Sequence, residues 1–177
     1  GPVMAKGMED TAFYRFYPLA SLNEVGGSPV GAPLWVEQFH NSMLERATKW
    51  PQSMSATATH DTKRGEDVRA RLNVLSEVPT EWESAILRWR EMNAPLHSDV
   101  DGAAAPDANE EYLIYQTLLG TWPVKPVFDG PPGEAYSARI VQYLQKALRE
   151  AKLNTSWLNP QPAYEDGVQR FVERILD

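Results

Sequence analysis

Apolar side chains recur at helical spacing along most of this 177-residue sequence, and prolines and glycines separate the runs. The clearest run covers residues 135–152, where Tyr136, Ile140 and Leu144 begin a long apolar face. Pro79 opens another run at a favourable helix-start position, and Pro51 stops a third. The spacing predicts a mainly α-helical chain with helices at residues 34–47, 66–77, 79–92, 110–119, 135–152 and 164–176.

Two short segments have the composition of buried strands. Residues 2–6 are apolar and end at Gly7, and residues 54–60 mix small and β-branched side chains. Because buried backbone donors and acceptors must be paired, these strands need neighbours. We expect them either to pair with each other or to have their neighbours upstream of Gly1. The abrupt apolar start indicates a fragment of a longer protein.

The segments between the helices have the composition of loops. Residues 26–33, 94–108 and 122–133 are rich in glycine, proline and small polar residues, which predicts turns and irregular structure.

Composition and charge exclude several classes of function. The net charge is -7 with no basic stripe, which argues against a duplex-binding protein. No run of 18 apolar residues predicts a membrane span, and the lack of cysteine excludes disulfides, thiolate metal sites and cysteine nucleophiles. We expect a cytoplasmic protein without a cofactor. The histidines also lack the spacing of metal ligands, so no metal site is predicted: His40, His60 and His97.

The polar segment at residues 59–67 is the best candidate for chemistry. Asp61 follows the predicted strand at residues 54–60, and in a (β/α)8 barrel catalytic side chains stand at the carboxyl ends of strands. A carboxylate between His60 and Lys63 should stay ionised, and an ionised carboxylate can stabilise an oxocarbenium-like transition state. Alternatively, Asp61 or Thr62 caps the helix that follows.

Three blocks of the sequence resemble maltooligosyl trehalose synthases of the α-amylase superfamily. They are GPVMAKGMEDTAFYR with LNEVGG, then ATATHDTKRGEDVRARL, then EYLIYQTLLG with AKLNTSWLNP. The resemblance implies the C-terminal part of a (β/α)8-barrel enzyme followed by a helical region. Residues 1–77 would supply the last strands and helices of the catalytic barrel, and residues 78–177 the C-terminal helical region.

The resemblance also implies a reaction. These synthases convert the reducing-end α-1,4 bond of a maltooligosaccharide into an α,α-1,1 bond by a retaining intramolecular transglycosylation. A hydrolase of the α-amylase type is disfavoured, because it lacks the blocks around Lys6 and Lys63. The superfamily pattern of a third carboxylate after a histidine falls on His60 and Asp61. Asp61 would stabilise the developing charge, and His60 would hydrogen-bond the hydroxyls of the same sugar.

Further residues would hold the released glucose so that it, rather than water, attacks. Lys63 and Lys6 stand where donors to that glucose would be useful, although Lys6 would alternatively form only a salt bridge with Glu9 or Asp10. Trp157 would face the sugar or belong to the core. The residues that would complete the cage or brace the lysines are Glu9, Asp10, Tyr14 and Arg64. For four residues, the sequence favours structural roles: Glu9, Arg15, Arg69 and Arg71.

No segment of the 177 residues matches the nucleophile or general-acid motifs of the synthases, so we expect this chain alone to be inactive. A fragment with exposed apolar faces is expected to self-associate. The rival interpretation is a non-catalytic helical module that binds carbohydrate or mediates assembly. Convergence of His60, Asp61, Lys63 and Lys6 on one concave site would favour the enzyme.

Overall fold

The computed structural model describes residues 1–31, 34–123 and 133–177. The predicted mainly helical fold is confirmed, and each of the six predicted helices is present with bounds that differ by a few residues. They are α1 (Val36–Lys49), α2 (Glu66–Asn73), α3 (Pro79–Asn93), α4 (Ala108–Thr121), α5 (Glu134–Ala151) and α6 (Pro162–Ile175). Short 3₁₀ helices occupy Ala12–Tyr14, Ala20–Leu22, Val74–Glu77 and Ala94–Leu96.

Local sequence chemistry explains where several helices begin and end. The Asp107 side chain accepts hydrogen bonds from the backbone N–H groups of Asn109 and Glu110, and Glu110 accepts one from the Asp107 N–H. This reciprocal capping box satisfies donors that the first turn of α4 would otherwise leave unpaired. Helix α3 begins at Pro79, and α1 ends two residues before Pro51, as the sequence predicts.

The two predicted strands are wrong. Residues Met4–Glu9 form a π-helical turn, and residues 54–60 are exposed and irregular, with a bend at Thr57 and a turn at His60. Within the described ranges, no strand pairs with either segment. A strand with no partner leaves its backbone groups unpaired, so the chain instead forms local hydrogen bonds.

The two strands that do form lie in a segment predicted to be an irregular loop. Strands β1 (Ser98–Val100) and β2 (Ala103–Ala105) make an antiparallel hairpin. Asp101 and Gly102 both have positive φ, at 55° and 84°, and Asp99 accepts a hydrogen bond from the Gly102 N–H. Asp-Gly is a strong signal for a two-residue hairpin turn, and this signal was missed. The other predicted loop, 122–133, lies largely outside the described residues.

Helix α4 is the centre of the packing. It contacts α2 and α5, while α6 packs on both α5 and the hairpin. The core draws side chains from every one of these elements, including Leu72, Leu113, Ile114, Leu144, Leu148, Val168 and Phe171.

The irregular N-terminal segment is attached to this core by polar side chains. Gln116 of α4 is fully buried; its side-chain oxygen accepts from the Ala20 N–H at 2.7 Å, and its amide donates to the Tyr17 carbonyl at 3.2 Å. Asn23, also buried, donates to the carbonyls of Phe13 and Phe16. These bonds supply the pairing that regular secondary structure would otherwise give to the segment.

Helix α1 differs from the other five described α-helices because none of its residues is buried. Large apolar side chains on and beside it are exposed: Leu34, Trp35, Val36, Phe39, Met43, Leu44 and Trp50. Among the described helices, none combines the length and apolar character needed to cross a membrane.

Candidate active site

The segment that contains Asp61 forms a turn fixed by two threonines. The Thr62 hydroxyl donates to the Thr59 carbonyl and accepts from the Thr59 N–H, and the Asp61 N–H donates to the Thr59 hydroxyl. Helix α2 starts later, with Gly65 as its N-cap and no side-chain cap bond. The prediction that Asp61 or Thr62 caps this helix is therefore wrong, and so is the prediction that Asp61 follows a strand. The turn leaves the Asp61 carboxylate exposed to solvent.

Asp10 joins two segments that lie far apart in the sequence. One of its carboxylate oxygens accepts from Lys6 Nζ at 2.5 Å, and the other accepts from Lys63 Nζ at 2.8 Å. Lys63 Nζ also lies 3.5 Å from a carboxylate oxygen of Asp61. Lys6, Asp10, Lys63 and Asp61 thus form a line of alternating charges, which we call the Asp10 cluster. The predicted salt bridge of Lys6 with Glu9 or Asp10 is present, with Asp10 as the partner.

The members of the cluster differ in exposure. The side chains of Lys6 and Asp61 are 78% and 54% exposed, whereas those of Asp10 and Lys63 are 21% and 7% exposed. The outer two groups are therefore available to a ligand. An ammonium group has three donors, and Lys63 uses one of them in its hydrogen bond to Asp10, while Asp61 lies at ion-pair distance.

The charges of the cluster reinforce one another. Hydrogen bonds from Lys6 and then Lys63 lower the pKa of the Asp10 carboxyl, and the hydrogen bond to Asp10 raises the pKa of Lys6. Burial opposes the charge of Lys63, but its bonds to Asp10 and Asp61 outweigh burial and raise its pKa. All of these shifts favour the ionised forms.

Glu24 binds the backbone of the loop that carries Lys63, and it was not among the site residues predicted from the sequence. Its carboxylate accepts from two consecutive backbone N–H groups, Lys63 at 2.8 Å and Arg64 at 3.1 Å. The buried Arg64 side chain donates to the Ala20 carbonyl and to the Tyr143 hydroxyl. Arg64 therefore braces the loop. Nothing in the sequence marks Glu24 as a partner of a loop about 40 residues away.

The remaining candidates fall into different places. His60 is exposed and makes no hydrogen bond with another described residue. Glu9 accepts from the Gly26 N–H at 3.1 Å, which is a bracing contact. Tyr14 is only 5% exposed and packs in the core, so it does not line an open surface.

The arginines predicted to be structural bind backbone carbonyls. Arg15 donates to the Ala151 carbonyl, and Arg71 donates to the Gly120 carbonyl. Arg69 likewise donates to a backbone carbonyl, that of Thr57.

Trp157 lies on the surface rather than in the core, with half of its side chain exposed. Its indole N–H donates to Glu150 at 3.1 Å, and the Arg149 guanidinium lies 4.9 Å from the ring centroid.

The end of α5 is tied to the Lys6 segment, because Lys152 donates to the Thr11 hydroxyl, which donates to the Lys6 carbonyl.

Comparison with known proteins identifies related chains. No family model matches the sequence. A Mycobacterium tuberculosis protein named as a maltooligosyl trehalose synthase is 43% identical over all 177 residues, which cover 21% of that protein. The chain is homologous to part of the maltooligosyl trehalose synthases. Solved structures agree: a Sulfolobus tokodaii hypothetical synthase has a TM-score of 0.83 at 35% identity, and the Arthrobacter ramosus synthase has a TM-score of 0.80 at 36% identity.

The match is complete for this chain but not for its relatives. Both structural matches cover 99% of the chain, yet they cover only 22% and 20% of the two synthases. The chain thus spans about a fifth of the length of these synthases.

The Asp10 cluster predicts a measurable shift in titration. Replacing Lys6 or Lys63 with methionine should raise the pKa of Asp10 towards its ordinary value, because each substitution removes a hydrogen bond to the ionised carboxylate. Since the pKa of Asp10 is lowered in the folded chain, its stabilising contribution is present above the ordinary carboxyl pKa and is lost as the pH falls through the lowered one. Carboxyl ¹³C NMR titration measures the change, with Lys49→Met as a control that removes a distant exposed pair. An identical Asp10 midpoint in all variants would contradict the geometry.

Proposed function

We propose that this chain forms part of the active site of a maltooligosyl trehalose synthase. The whole enzyme would be an intramolecular transglycosylase, a (1→4)-α-D-glucan 1-α-D-glucosylmutase, acting on maltooligosaccharides. Homology over the full chain supports the family, and the observation that carries the site is the Asp10 cluster. Through Asp10 it links Lys6 to Lys63 and Asp61, three of the four residues whose convergence would favour an enzyme over a helical binding module, while His60 is not bonded to the cluster.

Asp61 would act on the sugar whose bond is cleaved. Its carboxylate is exposed and lies 3.5 Å from the Lys63 ammonium. A fixed negative charge near the anomeric carbon stabilises positive charge that develops in the transition state. The neighbouring His60 is exposed, and its ring makes no hydrogen bond with another described residue. Its ring nitrogens would hydrogen-bond the hydroxyls of that sugar.

The lysines would retain the released glucose. Lys6 has an exposed ammonium held by Asp10, so it offers donors to a sugar hydroxyl from a defined position. Lys63 is buried, donates one hydrogen bond to Asp10 and lies 3.5 Å from Asp61, which suits its ammonium to bracing Asp61 and to a limited contact with the sugar. A glucose held in this way competes with bulk water through its high effective concentration.

Trp157 would supply a wall for the bound oligosaccharide. Its ring is half exposed, and the Glu150 hydrogen bond fixes its orientation. Apolar ring faces are suited to stacking on sugars, and a restrained indole loses little freedom on binding.

Substitution of Asp61 tests the proposal. In a full-length synthase in which this chain supplies the matching segment, Asp61→Asn should lower kcat roughly 10²–10³-fold, the usual cost of removing a preorganised electrostatic group. Product is measured as non-reducing trehalosyl oligosaccharide, and circular dichroism checks folding. Asp166→Asn, which removes the same charge from an exposed position on α6, should have no effect. Normal turnover in Asp61→Asn would reject the assignment.

The isolated chain should be inactive. The 177 residues lack segments that match the nucleophile and general-acid motifs of the synthases, and Asp61 alone cannot form or release a glycosyl intermediate. We expect no trehalosyl product when the purified chain is incubated with maltohexaose. Detection of a non-reducing product would show that the missing groups are not needed.

Helix α1 should cause the isolated chain to self-associate. Its apolar side chains are exposed together, and such patches favour association. Light scattering should show a mass that increases with concentration, and Leu44→Glu should reduce the increase, because Leu44 is 68% exposed on this helix. A monomer at every concentration would count against this expectation.

A further inference from the structure

The carboxylate of Glu24 binds the backbone on which the Lys63 side chain stands. One oxygen accepts from the Lys63 N–H at 2.8 Å, and the other accepts from the Arg64 N–H at 3.1 Å. The first oxygen also accepts from the N–H of Val25, next to Glu24 itself. Hydrogen bonds to an ionised acceptor are stronger than neutral ones, and two adjacent bonds define an orientation as well as a distance.

The turn that carries Glu24 is itself held in place. The Gly27 N–H donates to the Glu24 carbonyl at 2.7 Å, and Gly26 has a φ of 75° that other residues rarely adopt. A Cβ on Gly27 would lie 2.8 Å from the Glu24 carbonyl oxygen, so this position requires glycine. The Glu9 carboxylate completes the support by accepting from the Gly26 N–H.

The other side of the loop is anchored to the core. Arg64 follows Lys63 directly, and its guanidinium is bound by the Ala20 carbonyl and the Tyr143 hydroxyl. Ala20 is in turn bound by the buried side chain of Gln116. The backbone at Lys63 and Arg64 is therefore held by Glu24 and, through the Arg64 side chain, by the helical core.

From this arrangement we propose that Glu24 is a positioning residue for the Asp10 cluster. It would fix the backbone of Lys63 so that Nζ reaches both Asp10 and Asp61, and it would thereby control how well the site retains glucose. This inference rests on the proposed function. Three backbone donors use most of the acceptor capacity of the Glu24 carboxylate, so Glu24 would act on the backbone rather than on the sugar.

The distances explain why the backbone position matters. Lys63 Nζ lies 2.8 Å from one carboxylate and 3.5 Å from another, and its side chain is only 7% exposed. The second distance is already longer than a good hydrogen bond, and a further displacement of the loop would remove that contact. Misplacement by about 1 Å can reduce a rate by two orders of magnitude.

The test uses a full-length synthase that contains this chain, and it measures free glucose formed per trehalosyl product. Lys63→Ala establishes the effect of losing the lysine. Glu24→Ala should raise the glucose ratio roughly tenfold, as expected from the loss of a charge-assisted hydrogen bond. Glu24→Gln, which keeps one acceptor oxygen, should give a smaller rise. Glu45→Gln, which removes a carboxylate from an exposed pair on α1, should leave the ratio unchanged.

The double variant separates positioning from a general structural role. If Glu24 acts through Lys63, Glu24→Ala combined with Lys63→Ala should give the same ratio as Lys63→Ala alone. A multiplicative increase, or an unchanged ratio in both Glu24 variants, would overturn the inference. If Glu24→Ala does not fold, Glu24→Gln alone decides the result. An unchanged ratio in Lys63→Ala would instead reject the role proposed for the lysine, which is a separate failure.

Discussion

The buried amide of Gln116 is the contact on which the rest of the arrangement depends. The first 31 residues contain only short helical turns, so they cannot satisfy their own backbone groups as a long helix would. Gln116 accepts from one backbone N–H and donates to one backbone carbonyl of that segment, at a position with no exposed surface. An unpaired amide in such a place would be costly. The segment therefore lies against α4, and Lys6, Asp10 and Glu24 are carried with it.

The packing of this segment on α4 brings Lys6 and Asp10 into the Asp10 cluster. Exposed ion pairs contribute little to stability, so the line of charges from Lys6 to Asp61 is better understood as an arrangement of groups than as a source of stability. What matters is the geometry of the cluster. Each charged group lies next to a group of opposite charge, and the outermost cation and anion face solvent. The Lys6 ammonium and the Asp61 carboxylate are therefore both accessible at the surface.

Helix α1 shows the opposite case, a well-formed element without an internal partner. Its sequence defines a helix, but none of its side chains is buried, and Trp35 is 71% exposed. Helices of this kind gain most of their stability from packing of an apolar face. Within the described residues, no packing contact buries any side chain of this helix.

The sequence by itself determined the six helices, because helical spacing and proline positions are local properties, visible at Pro51 and Pro79. The resemblance to the synthases could also be recognised from the sequence, because the matching blocks, such as those around Lys6 and Asp61, are long and continuous. The strands at residues 2–6 and 54–60 were wrong, because strand formation depends on neighbours that composition does not reveal. Only the tertiary structure joined Lys6 to Lys63 through Asp10 and placed the Glu24 carboxylate against the backbone of Lys63. Those contacts link residues tens of positions apart, and they depend on how the N-terminal segment packs on α4 rather than on any local pattern.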